Sequence, residues 1–145
     1  MHSKPALEWS DSYALGYPPM DSTHQEFVVL ARAVLLAADD TIAERMDALA
    51  THTQAHFDQE AEWMTSTAFP PSQCHLDEHE AVLKSVYEVQ QQLASGENGA
   101  IDTARSLAME LLKWFPGHAA YLDSALAQWM AKRAYGGAPI VFHRS

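Results

Sequence analysis

The sequence predicts an all-α protein, an up-down-up-down four-helix bundle with an N-terminal aromatic arm. Four segments carry apolar residues at alternating spacings of three and four, the period of a helix that buries one face. Short breaks separate these segments, and short loops are typical of neighbouring antiparallel helices. No segment shows the apolar-polar alternation of a β-strand.

The N-terminal arm is predicted over residues 1–20, which include Trp9, two further aromatic residues and a pair of prolines. We expect its aromatic side chains to pack on the bundle. The bundle itself is predicted over residues 21–135. Its first helix covers about 21–38, and Asp21 or Ser22 can cap its start by accepting a free backbone N–H.

The second helix is predicted from Thr41 to about residue 65, because Thr41 and Glu44 have the spacing of a capping box. The third is predicted over about residues 72–94, after two prolines and a serine that can cap it. Glycines in the stretch 95–99 suit the left-handed backbone that ends a helix.

The fourth helix is predicted over about residues 101–133. Gly136, Gly137 and Pro139 end the helical region and leave a short C-terminal tail, residues 136–145.

Composition excludes several classes of protein. With 48% hydrophobic residues the chain can bury a core, so intrinsic disorder is not expected, and one cysteine, Cys74, cannot form an intrachain disulfide. A net charge of −10 disfavours nucleic acid and anionic membrane surfaces as partners. There is no signal-peptide or membrane-spanning run, so we expect a cytoplasmic protein, with a monomer favoured over an oligomer.

Polar residues interrupt the apolar stripe of every helix. They are His24 in the first, His56 and Glu60 in the second, His75 and His79 in the third, and His118 and Asp123 in the fourth. Residues four apart project from one helix face. Asp123 lies five after His118, which is about 140° around an ideal helix. Either the two side chains reach the site from opposite flanks of the helix, or the helix is locally distorted.

The positions of these groups along the helices place them at one end of the bundle. The start of the first helix, the end of the second, the start of the third and the later part of the fourth meet there in an up-down topology. Five imidazoles and two carboxylates exceed the four ligands of one zinc. They suit two octahedral metals that share the carboxylates, and iron rather than calcium or magnesium. An unequal division of the histidines leaves a position vacant on one metal.

These residues form the motifs Asp-x-x-His, His-x-x-x-Glu, His-x-x-x-His and Trp-x-x-x-His-x-x-x-x-Asp. The set resembles the hemerythrin family, specifically the single-domain bacteriohemerythrins, and the similarity extends over nearly the whole chain. It includes Trp9 in the arm, Asp21 before His24, and Trp114 one turn before His118.

The resemblance implies two iron ions bridged by Glu60, Asp123 and an oxo or hydroxo group. It assigns His75, His79 and His118 to a fully coordinated iron. It assigns His24 and His56 to an iron with an open position, where oxygen binds reversibly as a hydroperoxide while the irons pass between Fe2+ and Fe3+.

The chain departs from the family pattern beside His118. Pro116 and Gly117 precede this histidine, and Ala119 follows it where a larger aliphatic residue is common. We expect both changes to widen access to the irons and to speed autoxidation. The residues expected to line the oxygen pocket are Phe57, Trp63, Met64, Trp114, Phe115, Ala119 and Leu122.

Other polar residues have simpler interpretations. His52 is either a partner of His56 or, the favoured interpretation, a solvated or partly buried histidine. Cys74 is interpreted as a packing residue, and Glu78 and Glu80 as solvated helix charges.

The function predicted is an oxygen carrier, store or local supplier that is not an enzyme and has no catalytic residue. The alternatives are a diiron enzyme with peroxidase or nitric-oxide-handling activity, and an oxygen or redox sensor. Ferritin-like diiron oxidases use Glu-x-x-His motifs, and this chain has none.

Overall fold

Helices form the whole framework of the computed structural model, which describes residues 9–70 and 73–135. In that part of the chain there is no β-strand. The elements are a 3-10 turn at Asp11–Tyr13, α1 (Pro18–Leu36), α2 (Ile42–Ser66), α3 (Gln73–Ala94), α4 (Ala100–His118), a π-helical segment (Ala119–Asp123) and α5 (Ser124–Ala134).

The four long helices make the predicted four-helix bundle. Helix α1 packs against α2 and α4, and α3 packs against the same two helices on the other side. Near the start of α4, Arg105 donates hydrogen bonds to the carbonyl of Ala37 at 2.9 Å and to Asp39 at 2.6 Å, just after α1 ends. The start of α4 therefore lies beside the end of α1, as antiparallel helices require. None of the helices described has the length and apolar character needed to cross a membrane.

Helix α1 begins at Pro18, three residues before its predicted start, so the prediction that Asp21 or Ser22 caps it is wrong. Proline suits the first turn because its fixed φ matches a helix and its missing N–H would be unpaired there anyway. The Asp21 carboxylate instead accepts hydrogen bonds from the backbone N–H groups of Leu15 at 2.6 Å and Gly16 at 3.1 Å. Asp21 thereby ties the arm to α1, one turn before His24.

The described part of the arm makes the aromatic contacts expected of it. The rings of Trp9 and Tyr13 are 5.7 Å apart between centroids, and Tyr13 lies edge-on to Phe115 of α4 at 6.2 Å. Tyr17 lies edge-on to Trp63 of α2 at 5.2 Å. The arm therefore contacts two helices of the bundle.

The capping box predicted at Thr41 and Glu44 does not form. The Thr41 backbone is helical, and its hydroxyl donates to the carbonyl of Ala38 at 3.2 Å, so it is turned away from the N–H groups that it would cap. A tight turn, closed by a 3.0 Å backbone bond from Thr41 to Ala38, sets this orientation.

The remaining boundaries agree closely with prediction. Helix α3 ends at Ala94, and Gly96 and Gly99 have φ values of +69° and +85°, the left-handed backbone predicted there. The serine expected to cap α3, and the tail at 136–145, lie outside the described residues.

The core consists of two apolar layers. The larger layer includes Phe27, Phe57 and Phe115, and the smaller one is made of residues such as Met20, Met64 and Leu126. Along α1, α2 and α4–α5 the polar residues of the predicted site fall between these layers.

Candidate metal centre

All seven polar side chains singled out in the sequence come together between the two apolar layers. Each is buried, with His24, Glu60, His75 and Asp123 fully excluded from solvent. Two groups that share Glu60 have ligand atoms close enough to hold a metal ion. One is Glu60, His75, His79, His118 and Asp123, and the other is His24, His56 and Glu60.

The π-helical segment brings Asp123 to the site. It lies directly after His118, and the N–H of Ser124 bonds to the carbonyl of Ala119, five residues back. Because this spacing stacks residues five apart, Asp123 lies on nearly the same face as His118. Of the two arrangements that the sequence left open, the structure therefore shows the local distortion. The helix passes through Pro116, which lacks the N–H that a regular turn would use.

Three histidines face one oxygen of each carboxylate. His75 Nε2 lies 2.7 Å from Asp123 Oδ1 and 3.3 Å from Glu60 Oε1. His118 Nε2 lies 3.1 Å from Asp123 Oδ1, and His79 Nε2 lies 3.4 Å from Glu60 Oε1. The Nε2 atoms of His79 and His118 are 3.1 Å apart, so the three rings converge on one small volume.

Two histidines face the other oxygen of each carboxylate. His56 Nε2 lies 2.9 Å from Glu60 Oε2. His24 Nε2 lies 3.0 Å from Asp123 Oδ2 and 3.5 Å from Glu60 Oε2. Glu60 and Asp123 therefore each extend between the two groups of histidines.

The chemistry of these donors fits metal ions. Despite these short distances, both Asp123 oxygens, Glu60 Oε1 and the Nε2 atoms of His24 and His75 are buried without a well-directed hydrogen bond among the described residues. Buried polar atoms are rarely left unpaired unless an ion or water satisfies them. Imidazole nitrogens with carboxylate oxygens are ligands that suit divalent transition metals.

The electrostatics of the protein alone already favour positive charge here. Burial lowers the pKa of His24 and of His75, but the carboxylates of Asp123 and Glu60 outweigh it and raise both pKa values to about 9. Burial raises the pKa of Glu60 and of Asp123, and their histidine neighbours outweigh it and hold both well below the usual range. For His79, burial dominates and lowers the pKa to about 3.

Aromatic rings enclose the histidines. Phe57 stacks on His79 at 3.7 Å between centroids, and Trp114 stacks on His118 at 4.2 Å. Phe115 meets His24 edge-on at 5.1 Å. These three residues of the predicted oxygen pocket therefore contact histidines of the site.

The other four residues predicted for the pocket are spread more widely. Ala119 is buried in the larger apolar layer, while Met64 and Trp63 belong to the smaller one. Trp63 also borders a surface cleft, and Leu122 is half-buried.

Two residues at the site were missed in the sequence. Phe27, whose ring lies 6.3 Å from His56 and 5.8 Å from Phe115, could have been found because it falls one turn after His24 on the same face. Glu78 was interpreted as a solvated charge, and that interpretation is wrong. Its Oε1 accepts hydrogen bonds from His118 Nδ1 at 2.8 Å and from Trp114 Nε1 at 3.1 Å.

Glu78 positions His118, and its replacement should weaken metal binding. A carboxylate on the outer nitrogen of a ligand histidine fixes the ring and makes the inner nitrogen a stronger donor. We expect Glu78→Gln to lower metal affinity by about 10- to 100-fold, with little change in the helical content. The measurement is the metal retained against a competing chelator. Glu80→Gln, an exposed neighbour on α3, is the matched control and should behave as the parent. Equal retention in both variants would rule out this role.

His52 and Cys74 lie beside the site without joining it. His52 is half-buried, its Nε2 lies 3.2 Å from the carbonyl of Thr23, and its ring centroid is 5.8 Å from that of His56. The favoured interpretation of a partly buried histidine is confirmed. Cys74 is an exposed free thiol, so its interpretation as a packing residue is wrong.

Comparison with known proteins identifies the family. The model of the hemerythrin HHE cation binding domain matches residues 15–130. A bacteriohemerythrin of Ralstonia nicotianae (strain ATCC BAA-1114 / GMI1000) is 35% identical over 129 residues, which cover 89% of this chain and 92% of that protein. A bacteriohemerythrin of Stenotrophomonas maltophilia (strain R551-3) is 26% identical over 125 residues, or 83% and 79% of the two chains. With its seven buried ligand-type side chains and this match over most of its length, the chain belongs to the hemerythrin family.

Proposed function

We propose that this protein holds two iron ions and binds molecular oxygen reversibly, as a carrier, store or local supply. The observation that supports the proposal best is the arrangement of the two carboxylates. Glu60 and Asp123 each present one oxygen to the group of three histidines and the other oxygen to the group of two. Two metal ions sharing both carboxylates would satisfy this arrangement, whereas one ion would leave a group of histidines unused.

The division of donors is unequal, and the inequality provides a place for oxygen. Three nitrogens and two oxygens face one metal position, and two nitrogens and two oxygens face the other. The position on the side of His24 and His56 therefore has one protein donor fewer. Iron bound in the ferrous state would supply the electrons that oxygen takes up on binding and returns on release.

Apolar side chains cover that position from the side of the core. Phe115 and Phe27 lie against the rings of His24 and His56, and both are almost fully buried. An apolar wall excludes water and limits proton delivery, which would otherwise promote irreversible loss of a reduced oxygen ligand. This core-side wall supports the proposal of reversible binding.

An enzyme of the peroxidase or nitric-oxide-handling type is the alternative. The observation that favours it is a partly polar cleft bordered by His56 and Glu60, through which a polar substrate could approach. We also propose a cytoplasmic location, which the exposed free thiol of Cys74 supports because thiols persist in a reducing compartment.

Oxygen cycling separates these functions. The iron-loaded protein is reduced anaerobically, exposed to air and then purged with argon, while its visible spectrum is recorded. A carrier should gain and lose a charge-transfer band over repeated cycles. Irreversible oxidation with steady consumption of hydrogen peroxide would instead identify an enzyme, and failure to bind iron would refute both.

Ala119 should set the lifetime of the oxygenated protein. It is buried in the larger layer with Phe115 and directly follows His118, so a longer side chain there would lie close to the site. We expect Ala119→Val and Ala119→Ile to slow autoxidation progressively, by about threefold to tenfold, as access narrows. Decay of the oxygenated form in a stopped-flow spectrometer measures this rate. Ala120→Ile, at the exposed neighbouring position, is the control. Equal decay in all variants would show that Ala119 does not control access.

A further inference from the structure

A cleft between α1 and α2 reaches the side of the site that lacks one donor. Its volume is about 260 Å³, and His56 and Glu60 form its inner end. His56 is also the most exposed of the five clustered histidines, at 6%, against 0% for His24. Since Phe27 and Phe115 cover His24 and His56 from the core, the cleft approaches this pair from the opposite, solvent side.

His52 and Glu26 separate the cleft from a second depression farther out. Both residues border the inner cleft, and both border an outer depression of about 570 Å³ along α1 and α2. His52 reaches across from α2 to the Thr23 carbonyl of α1, and its Nδ1 lies 3.7 Å from Glu26 Oε1. The pair therefore lies where the outer depression adjoins the cleft that leads to His56 and Glu60.

The cleft has a mixed lining, in which Met20, Ala55 and Trp63 are largely apolar and the other side chains can bind small polar molecules. His52, Glu26 and Gln59 offer hydrogen-bonding groups along it, whereas the aromatic wall on the core side offers none. Glu26, with 65% of its side chain exposed, places a negative charge at the mouth. That charge disfavours anions and leaves neutral molecules unaffected.

We propose that this cleft is the access route by which small polar molecules reach the metal position beside His56, and that His52 and Glu26 control passage along it. The inference rests on the proposed function in one respect, since the position reached is that of the metal with the missing donor. Neutral molecules such as water, hydrogen peroxide or nitric oxide pass more readily than anions such as azide.

A substitution that fills the cleft tests the route. Ala55 is exposed and borders the cleft, while Ala48 is exposed on the same face of α2 two turns earlier and does not border it. We expect Ala55→Trp to slow both azide association with the oxidised, iron-loaded protein and azide dissociation by about tenfold, with an unchanged Kd. Ala48→Trp should leave both rates as in the parent.

Two further variants change His52 and Glu26 themselves. His52→Ala should raise both azide rates several-fold at constant Kd. Glu26→Gln should raise the azide association rate and leave nitric oxide association with the reduced protein unchanged. A Kd altered at constant association rate would show instead that these residues perturb the metal site.

The route can also be judged without metal. Water is itself one of the small polar molecules, so magnetic cross-relaxation between water and the His56 ring protons of the metal-free protein reports access along the cleft. Ala55→Trp should reduce this effect relative to Ala48→Trp. Failure to bind iron would refute the proposed function and leave this comparison intact. Equal rates, or equal relaxation, in the two tryptophan variants would refute the route.

Discussion

In the proposed two-iron site, replacing Glu60 with glutamine is expected to reduce the iron bound per chain from two ions to at most one and to abolish the oxygen-dependent spectral change. The Glu60 carboxylate lies close to histidine nitrogens on both sides of the site, at 2.9 Å from His56 and 3.5 Å from His24 on one side and 3.4 Å from His79 on the other. Glutamine has nearly the same shape but offers one neutral oxygen and an NH₂ group that cannot ligate a metal. Both metal positions would therefore lose a shared anion at once.

The measurement is iron per chain after reconstitution and gel filtration, together with the visible spectrum in air. Glu62→Gln is the matched control, because Glu62 is exposed on the same helix two residues away. It should retain two irons and the reversible band. If Glu60→Gln also retained both, the carboxylate would not join the two positions.

The metal-free protein is expected to lose thermal stability as the pH rises from 6.5 to 9. The pKa values of His24 and His75 are raised from 6.5 to about 9 because both rings face Asp123 and Glu60. A folded-state pKa above the unfolded one contributes stability that is complete below pH 6.5 and lost as the pH passes through 9. Deprotonation leaves two buried carboxylates without positive partners. We expect Tm to fall by roughly 5–10 °C over this window.

Bound metal should remove this dependence, because it supplies the positive charge that the protons supply in its absence. The Tm of the reloaded protein is expected to stay nearly constant from pH 6.5 to 9, so that metal stabilises the fold more at pH 9. Scanning calorimetry of chelator-treated and reloaded samples measures the difference. If the Tm of the two samples changed with pH by the same amount, the electrostatic account of the site would be contradicted.

Below pH 6.5, the stability of the metal-free protein should change in the opposite direction and fall as the pH falls. Burial lowers the pKa of His79 to about 3, so the folded protein holds this ring neutral. The free energy of unfolding therefore falls as the pH drops below 6.5, where the ring becomes protonated in the unfolded chain. The lowered pKa values of Glu60 and Asp123 act in the same direction at still lower pH. The metal-free protein should therefore be most stable near pH 6.5.

The fold and the clustering of the site were predictable because each rests on a regular period. Apolar residues at spacings of three and four define the helices, and His56 with Glu60, or His75 with His79, fall one turn apart on a single face. That these residues all lie at one end of the bundle follows from the antiparallel topology alone. The structure brings these side chains together as that argument expects.

What could not be predicted depends on local irregularity or on contacts between helices. The spacing of His118 and Asp123 showed that something must distort, but the π-helical segment that does so has no distinct periodicity in the sequence. Glu78 lies among the acidic residues of an exposed helix face, and only the proximity of α4 turns it into a partner of His118. Thr41 has the residue type of a cap, and the preceding turn determines that it does not act as one.

The most direct test of the two-metal site is the Mössbauer spectrum of the oxidised protein loaded with ⁵⁷Fe. Two ferric ions held by both Glu60 and Asp123 would be magnetically coupled, whereas separate ions would be magnetically independent. The expected result is two irons per chain with a coupled, diamagnetic ground state. One iron per chain, or two uncoupled high-spin ferric ions, would contradict the account.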